Sequence, residues 1–140
     1  MPEIPAVIHG DLCFSNIMYD SRSNNIRFID PRGLNIQQEL TIYSYDLAKL
    51  CYSFIGLYDF IIADSFKLER SEKLGVKLIF NLDQHFKEIQ SVFMQTNLTP
   101  GISDKETILL FLSMIPLHFY KPHREAMLAN ALRLYAEWLK

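Results

Sequence analysis

The hydrophobic and polar positions divide the chain into a short β-like front and a long helix-like remainder. Ala6-Val7-Ile8 is a brief β-prone run, entered through Pro2 and Pro5. Ile17-Met18-Tyr19-Asp20 and Ile26-Arg27-Phe28-Ile29 flank the polar stretch Ser21-Arg22-Ser23-Asn24-Asn25, the pattern of a β-hairpin closed by turn-forming side chains. Pro31 and Gly33 end the second strand, and Leu34 to Thr41 reads as a polar-rich connection with Gln37, Gln38 and Glu39. From Ser44 or Asp46 onward, Leu47, Leu50, Cys51, Phe54, Leu57, Tyr58, Ile61 and Ile62 recur at three- and four-residue steps. That spacing predicts one largely buried helix with Ser44 as N-cap, in which Gly56 is a weak point that does not end the pattern.

A second helix is predicted to begin near Asn81, with Gln84 placed as in a capping box, and to carry Leu82, Phe86, Ile89, Val92 and Phe93. Thr99-Pro100-Gly101 breaks it. Ser103 with Glu106 opens a third helix containing Ile108, Leu109, Phe111, Leu112 and Ile115, which Pro116 kinks near its end. Pro122 marks a boundary, and the last helix runs to the C-terminus through Met127, Leu128, Ala131, Leu132, Leu134, Tyr135, Trp138 and Leu139. No internal repeat or low-complexity stretch interrupts this order. A hairpin followed by about four helices is an α+β fold, mostly helical.

At 140 residues, 49% hydrophobic and 21% charged, the chain has the composition of a single globular domain spanning 1–140. A net charge of -2 gives no electrostatic reason to expect nucleic acid, and Lys121-Pro122-His123-Arg124 reads as solvated surface. No apolar run approaches the ~20 residues that span a bilayer. The longest, Ile108 to Leu117, is interrupted by Ser113 and Pro116. Glu3 and Pro5 break any signal-peptide pattern at Met1, so the expected compartment is the cytoplasm, and the glycosylation sequon at Asn97-Leu98-Thr99 carries almost no weight. Cys13 and Cys51 form no C-x-x-C pair, which leaves neither a zinc nor a redox motif; Cys13 reads as a small filler residue.

The chemistry concentrates in His9-Gly10-Asp11-Leu12-Cys13-Phe14-Ser15-Asn16 and in Ile29-Asp30. Antiparallel strands bring the loop before the first strand next to the residue ending the second, so the hairpin places Asp30 beside Asp11 and Asn16. Two carboxylates and an amide oxygen are what phosphoryl transfer asks of side chains: one base for an acceptor hydroxyl, and oxygen ligands for Mg²⁺ on the phosphates. Each residue also has a plainer reading. Asp11 could form a turn or cap a helix, Asn16 could bond its own backbone, and Asp30 could simply end a strand.

The spacing H-x-D-x-x-x-x-N with a later Ile-Asp matches the protein-kinase catalytic loop and metal-binding aspartate. With Gly10 after the histidine, it resembles the aminoglycoside phosphotransferase and choline kinase family, small-molecule relatives of protein kinases. The resemblance implies a protein-kinase-like C-terminal lobe, with Asp11 as catalytic base and Asn16 and Asp30 as ligands of Mg²⁺. ATP or GTP would be the donor, and a small-molecule hydroxyl the acceptor: an aminoglycoside, choline or ethanolamine, an amino alcohol or a sugar. His9 is expected to brace the loop, and Asp46 to tie to it as its counterpart does in the family, N-capping being the alternative. Arg32 meets either a phosphate or a neighbouring acid. His85, His118 and His123 lack ligand spacing and read as surface or packing residues.

Only eight residues precede His9, and neither a Gly-rich phosphate loop nor a strand lysine with its helix glutamate is present. The expectation is therefore a C-terminal lobe without its nucleotide-binding lobe, inactive as an isolated chain. The alternatives are a non-catalytic binding or scaffold module and one part of a two-chain kinase. In the last case an exposed apolar surface would drive association with a missing N-terminal lobe or a homo-oligomer. The acceptor site would come from about Leu47 to Lys140. There Asp59, Asp64 and Glu69 either attract a cationic acceptor or form a solvated face.

Overall fold

Three antiparallel two-stranded ribbons and five helices make up the described residues, 5–32, 41–42, 44–72, 75–96 and 104–140 of a computed structural model. In chain order these are β1 (Pro5–Ala6), β2 (Ile17–Asp20), β3 (Asn25–Phe28), β4 (Thr41–Ile42), α1 (Ser44–Phe54) and α2 (Tyr58–Ile62). They continue through β5 (Phe66–Ser71), β6 (Gly75–Phe80), α3 (Gln84–Gln95), α4 (Asp104–Met114) and α5 (Lys121–Trp138). The architecture is α+β, as the hydrophobic pattern predicts. Gly33, most of the connection from Leu34, the Asn97 sequon, the Thr99-Pro100-Gly101 break and Ser103 lie outside the described residues. Among those described, no helix is long and apolar enough to cross a membrane.

The β2–β3 hairpin forms as expected, with Ile17 opposite Phe28 and Tyr19 opposite Ile26. Its turn is held by Asp20, which accepts from the Arg22 amide (3.0 Å) and the Ser23 hydroxyl (2.6 Å), and Asn24 takes the left-handed φ of 55° that asparagine tolerates. These bonds hold the Asp20 carboxyl below its ordinary range. Directly opposed residues share a face, so Ile17, Tyr19, Ile26 and Phe28 line one side of the ribbon. Tyr19, Ile26 and Phe28 remain 58–63% exposed.

The single helix predicted from residue 44 to 62 is two helices. Ser44 is already helical rather than capping, and α1 ends at Phe54, with the Ile55 and Gly56 amides both bonding the Cys51 carbonyl. Leu57 then turns the chain at φ 58°. Gly56 does end the helix, and packing explains why. A Cβ there would lie 2.5 Å from both Phe111 Cε2 and the Tyr52 carbonyl oxygen, so only glycine lets α4 approach this bend. The exposed carbonyls of the bend are taken by α5: the buried Asn130 amide donates to the Gly56 carbonyl, and Arg133 Nη2 donates to that of Ile55 at 3.2 Å.

The segment from Leu47 onward is not all helix. Phe66–Ser71 and Gly75–Phe80 form a second hairpin, whose face carrying Phe66, Leu68, Leu78 and Phe80 packs on the core. The second predicted helix starts later than Asn81, because Asp83 is the N-cap and accepts from the Phe86 amide at 2.7 Å. Pro116 sits in a 3-10 turn, Ile115–Leu117, that finishes α4, and Pro122 lies in the first turn of α5. The core joins Ala48 and Tyr52 of α1, Ile61 of α2, Ile108 and Phe111 of α4, and Ala126, Met127, Ala131 and Leu134 of α5. Tyr52 stacks on Tyr58 (4.4 Å between centroids) and tilts against Phe111 (4.2 Å). The loop that carries Asp11 rests on the α1 side of this core.

Candidate functional site

The loop before β2 is fastened mainly by main-chain groups. Asp46, in the first turn of α1, accepts from the His9 amide through Oδ2 (2.6 Å) and from the Gly10 amide through Oδ1 (2.9 Å). Gly10 stands at φ 80°, a conformation that glycine reaches without Cβ strain. The Arg32 amide bonds the His9 carbonyl (2.7 Å), and the Ile29 amide bonds that of Asn16 (3.0 Å), which draws the end of β3 against the loop. His9 adds a side-chain brace. Its Nδ1 accepts from the Asp11 amide (3.3 Å), which leaves Nε2–H to donate to the Ile29 carbonyl (2.9 Å).

Asp11, Asn16 and Asp30 line one cavity of about 170 Å³, as the hairpin argument requires. Asn16 follows from a 3-10 turn, Phe14–Asn16, whose start is held by Ser53 Oγ accepting the Phe14 amide at 3.2 Å. The Asn16 Nδ2 donates to the Asp11 carbonyl (2.8 Å), so its amide oxygen is the atom left for a ligand. Asp30 has the left-handed φ of 54°, and among the described residues its carboxylate has no hydrogen-bond or ion-pair partner. A free carboxylate and a free amide oxygen are hard donors suited to a divalent cation. Among the described residues no group of three or more His, Cys, Asp or Glu could hold a metal by itself, so this pair would need oxygens from elsewhere to complete a shell.

Asp11 is flanked by two cations. Lys49 Nζ lies 3.0 Å from Oδ1 and Arg32 Nη2 lies 3.2 Å from Oδ2; the Arg32 side chain is 71% exposed and that of Lys49 only 6%. Arg32 thus meets a neighbouring acid, one of its two expected partners. Lys49, also 5.5 Å from the centroid of the Tyr52 ring, escapes motif reasoning. Its signal is composition by position: it is the one lysine on a helix buried nearly all round, where a charge requires a partner.

Tyr52, Tyr58, Met114 and Leu117 form the apolar wall of the cavity. Burial pushes the Tyr52 hydroxyl well above its ordinary range, and burial first, then nearby Cys13, Asp59 and Asp11, pushes Tyr58 up to about 12. Cys13 is buried, its Sγ 3.2 Å from Ser15 Oγ, which suits the filler reading.

The acids Asp59, Asp64 and Glu69 do not assemble into an electronegative patch. Asp64 pairs with His123 (2.8 Å) and Glu69 with Lys67 (2.9 Å), while Asp59 is drawn inward towards Ser53 and the Ser15 amide, its carboxyl raised by burial. His118 contacts the Tyr58 hydroxyl at 3.4 Å, and His85 borders a roomier hollow of about 370 Å³ beneath α3, lined mainly by Phe54, Ile89, Val92 and Phe93. No protein-family model, curated protein or solved structure matches this chain.

Proposed function

We propose that this chain supplies the acceptor-activating and metal-holding half of a phosphotransferase that acts on the hydroxyl of a small molecule. The observation that carries the reading is the convergence of Asp11, Asn16 and Asp30 on one cavity, the Asn16 amide fixed and the Asp30 carboxylate without a partner among the described residues. In this scheme Asp11 orients the acceptor hydroxyl and takes its proton as the acceptor oxygen bonds to the γ-phosphorus of ATP or GTP. The bond to the bridging oxygen breaks and a nucleoside diphosphate leaves. Asn16 Oδ1 and Asp30 would hold Mg²⁺, which neutralises charge on the phosphates when bound. Two protein oxygens suit this ion, which keeps waters and phosphate oxygens in its shell. Tyr58, Met114 and Leu117 would receive the carbon frame of the acceptor: a sugar, an aminoglycoside, choline, ethanolamine or another amino alcohol.

The exposed apolar face of β2–β3 supports a second element of the scheme. It adjoins Asn16 and Asp30, and a nucleotide-binding lobe, in the same polypeptide or in a partner, would close over it. Turnover is then expected only when that lobe is supplied.

Mn²⁺, a paramagnetic stand-in with the same taste for oxygen ligands, tests the metal half on this chain alone. Its addition should selectively broaden the amide resonances of residues 11–17 and 29–31, and the pair Asn16→Ala with Asp30→Ala should abolish the effect. Uniform broadening, unchanged in the double variant, would remove the basis of the proposal.

A further inference from the structure

Lys49 lies outside the set of residues assigned above, and its geometry gives it a definite task. We infer that Lys49 is a positioning residue that selects which oxygen of Asp11 acts as the base, an inference that rests on the phosphotransfer reading of the site. The Lys49 ammonium holds Oδ1 at 3.0 Å, on a side chain 6% exposed, and lies 5.5 Å from the centroid of the buried Tyr52 ring. That contact cannot be exchanged for water without opening the helix from the loop. The Arg32 guanidinium covers Oδ2 at 3.2 Å from a side chain 71% exposed. An exposed pair of this kind is weakly held and can swing into solvent. The two oxygens of Asp11 are therefore unequal: Oδ1 is pinned, and Oδ2 is the one an acceptor hydroxyl can reach once Arg32 moves aside. The Asp11 backbone is fixed independently, through the Asn16 Nδ2 bond to its carbonyl, so Lys49 governs the torsion of the carboxylate rather than the placing of the loop.

The test is turnover, with the nucleotide-binding lobe supplied, of Lys49→Met, Asp11→Asn and the double variant. Lys49→Met should lower kcat by about tenfold to a hundredfold, the scale of a misoriented reacting group, while KM for nucleotide and acceptor stays within about threefold. The double variant should be no slower than Asp11→Asn alone, because groups acting as a unit are not additive. The inference is overturned if Lys49→Met keeps parental kcat, if its effect falls on KM alone, or if it adds in full to that of Asp11→Asn. Should Lys49→Met fail to fold, Lys49→Arg takes its place, and the same presence or absence of additivity with Asp11→Asn decides. Parental turnover in Asp11→Asn would instead bring down the phosphotransfer reading itself, and this inference with it.

Discussion

Asp46 grips two consecutive amides, those of His9 and Gly10, from a helix that starts more than thirty residues later in the chain, with separations of 37 and 36 positions. Each carboxylate oxygen takes one amide, so the arrangement is a two-pronged clamp, and its position in the first turn of α1 also favours a negative charge. Bonds to a charged acceptor contribute about 1.5–3 kcal/mol each. Asp46→Ala is expected to cost about 3 kcal/mol or more in chemical denaturation, and Asp46→Asn, which keeps one acceptor, roughly half of that. Equal losses for the two variants would show that the second prong contributes nothing.

Gly56 permits the bend between α1 and α2, and Asn130 satisfies its carbonyl. Gly56→Ala forces a methyl against Phe111 and should cost about 1–3 kcal/mol through overpacking. Asn130→Leu leaves a buried carbonyl without a donor and should cost about the same. Combining them should give less than the sum, because once the bend is displaced the bond from Asn130 is already lost. Equilibrium unfolding of the two single variants and the double variant checks this.

Tyr52 is fully buried, yet among the described residues its hydroxyl has no hydrogen-bond partner. Burying an unpaired hydroxyl costs about 1–3 kcal/mol. Tyr52→Phe keeps the ring stacks with Tyr58 and Phe111 and removes the orphan, so its melting temperature should be unchanged or higher. A marked fall would reveal that the hydroxyl finds a bound water.

The Tyr58 hydroxyl, raised from the ordinary 10.0 to about 12, makes an alkaline prediction. Because the folded form keeps its proton more tightly than the unfolded form, the associated stability is fully present below pH 10. It is lost as pH rises from about 10 to about 12. Tyr58→Phe should flatten that part of the stability profile, and ultraviolet absorbance should show one fewer late-titrating tyrosine.

The local elements that neighbouring residues decide were legible in the sequence. The β2–β3 hairpin follows from its turn chemistry, and α+β from the order of elements. Asp11, Asn16 and Asp30 line one cavity because a hairpin brings its ends together, and His9 and Asp46 both hydrogen-bond to backbone groups of the loop and its neighbour. The errors arise where distant packing prevails. Gly56 looked tolerable within the 3.6-residue rhythm, but Phe111, 55 positions away, fixes it as a helix end. The β5–β6 hairpin has only the short alternation of Phe66-Lys67-Leu68-Glu69 as its local signal. Asp83 outranked Asn81 as a cap because its carboxylate reaches the Phe86 amide. The contact of Lys49 with Asp11, 38 positions away, follows no local spacing rule.

The main-chain stitching of the His9–Arg32 region has an evolutionary corollary. Asp46, His9 and the backbone amides keep the scaffold standing, while the carboxylate of Asp30 supports none of it among the described residues. The scaffold and the proposed chemistry thus depend on different positions. On the phosphotransfer scheme proposed above, a descendant could exchange Asp30 for a neutral residue that accepts a left-handed backbone, lose the proposed metal site, and keep the fold.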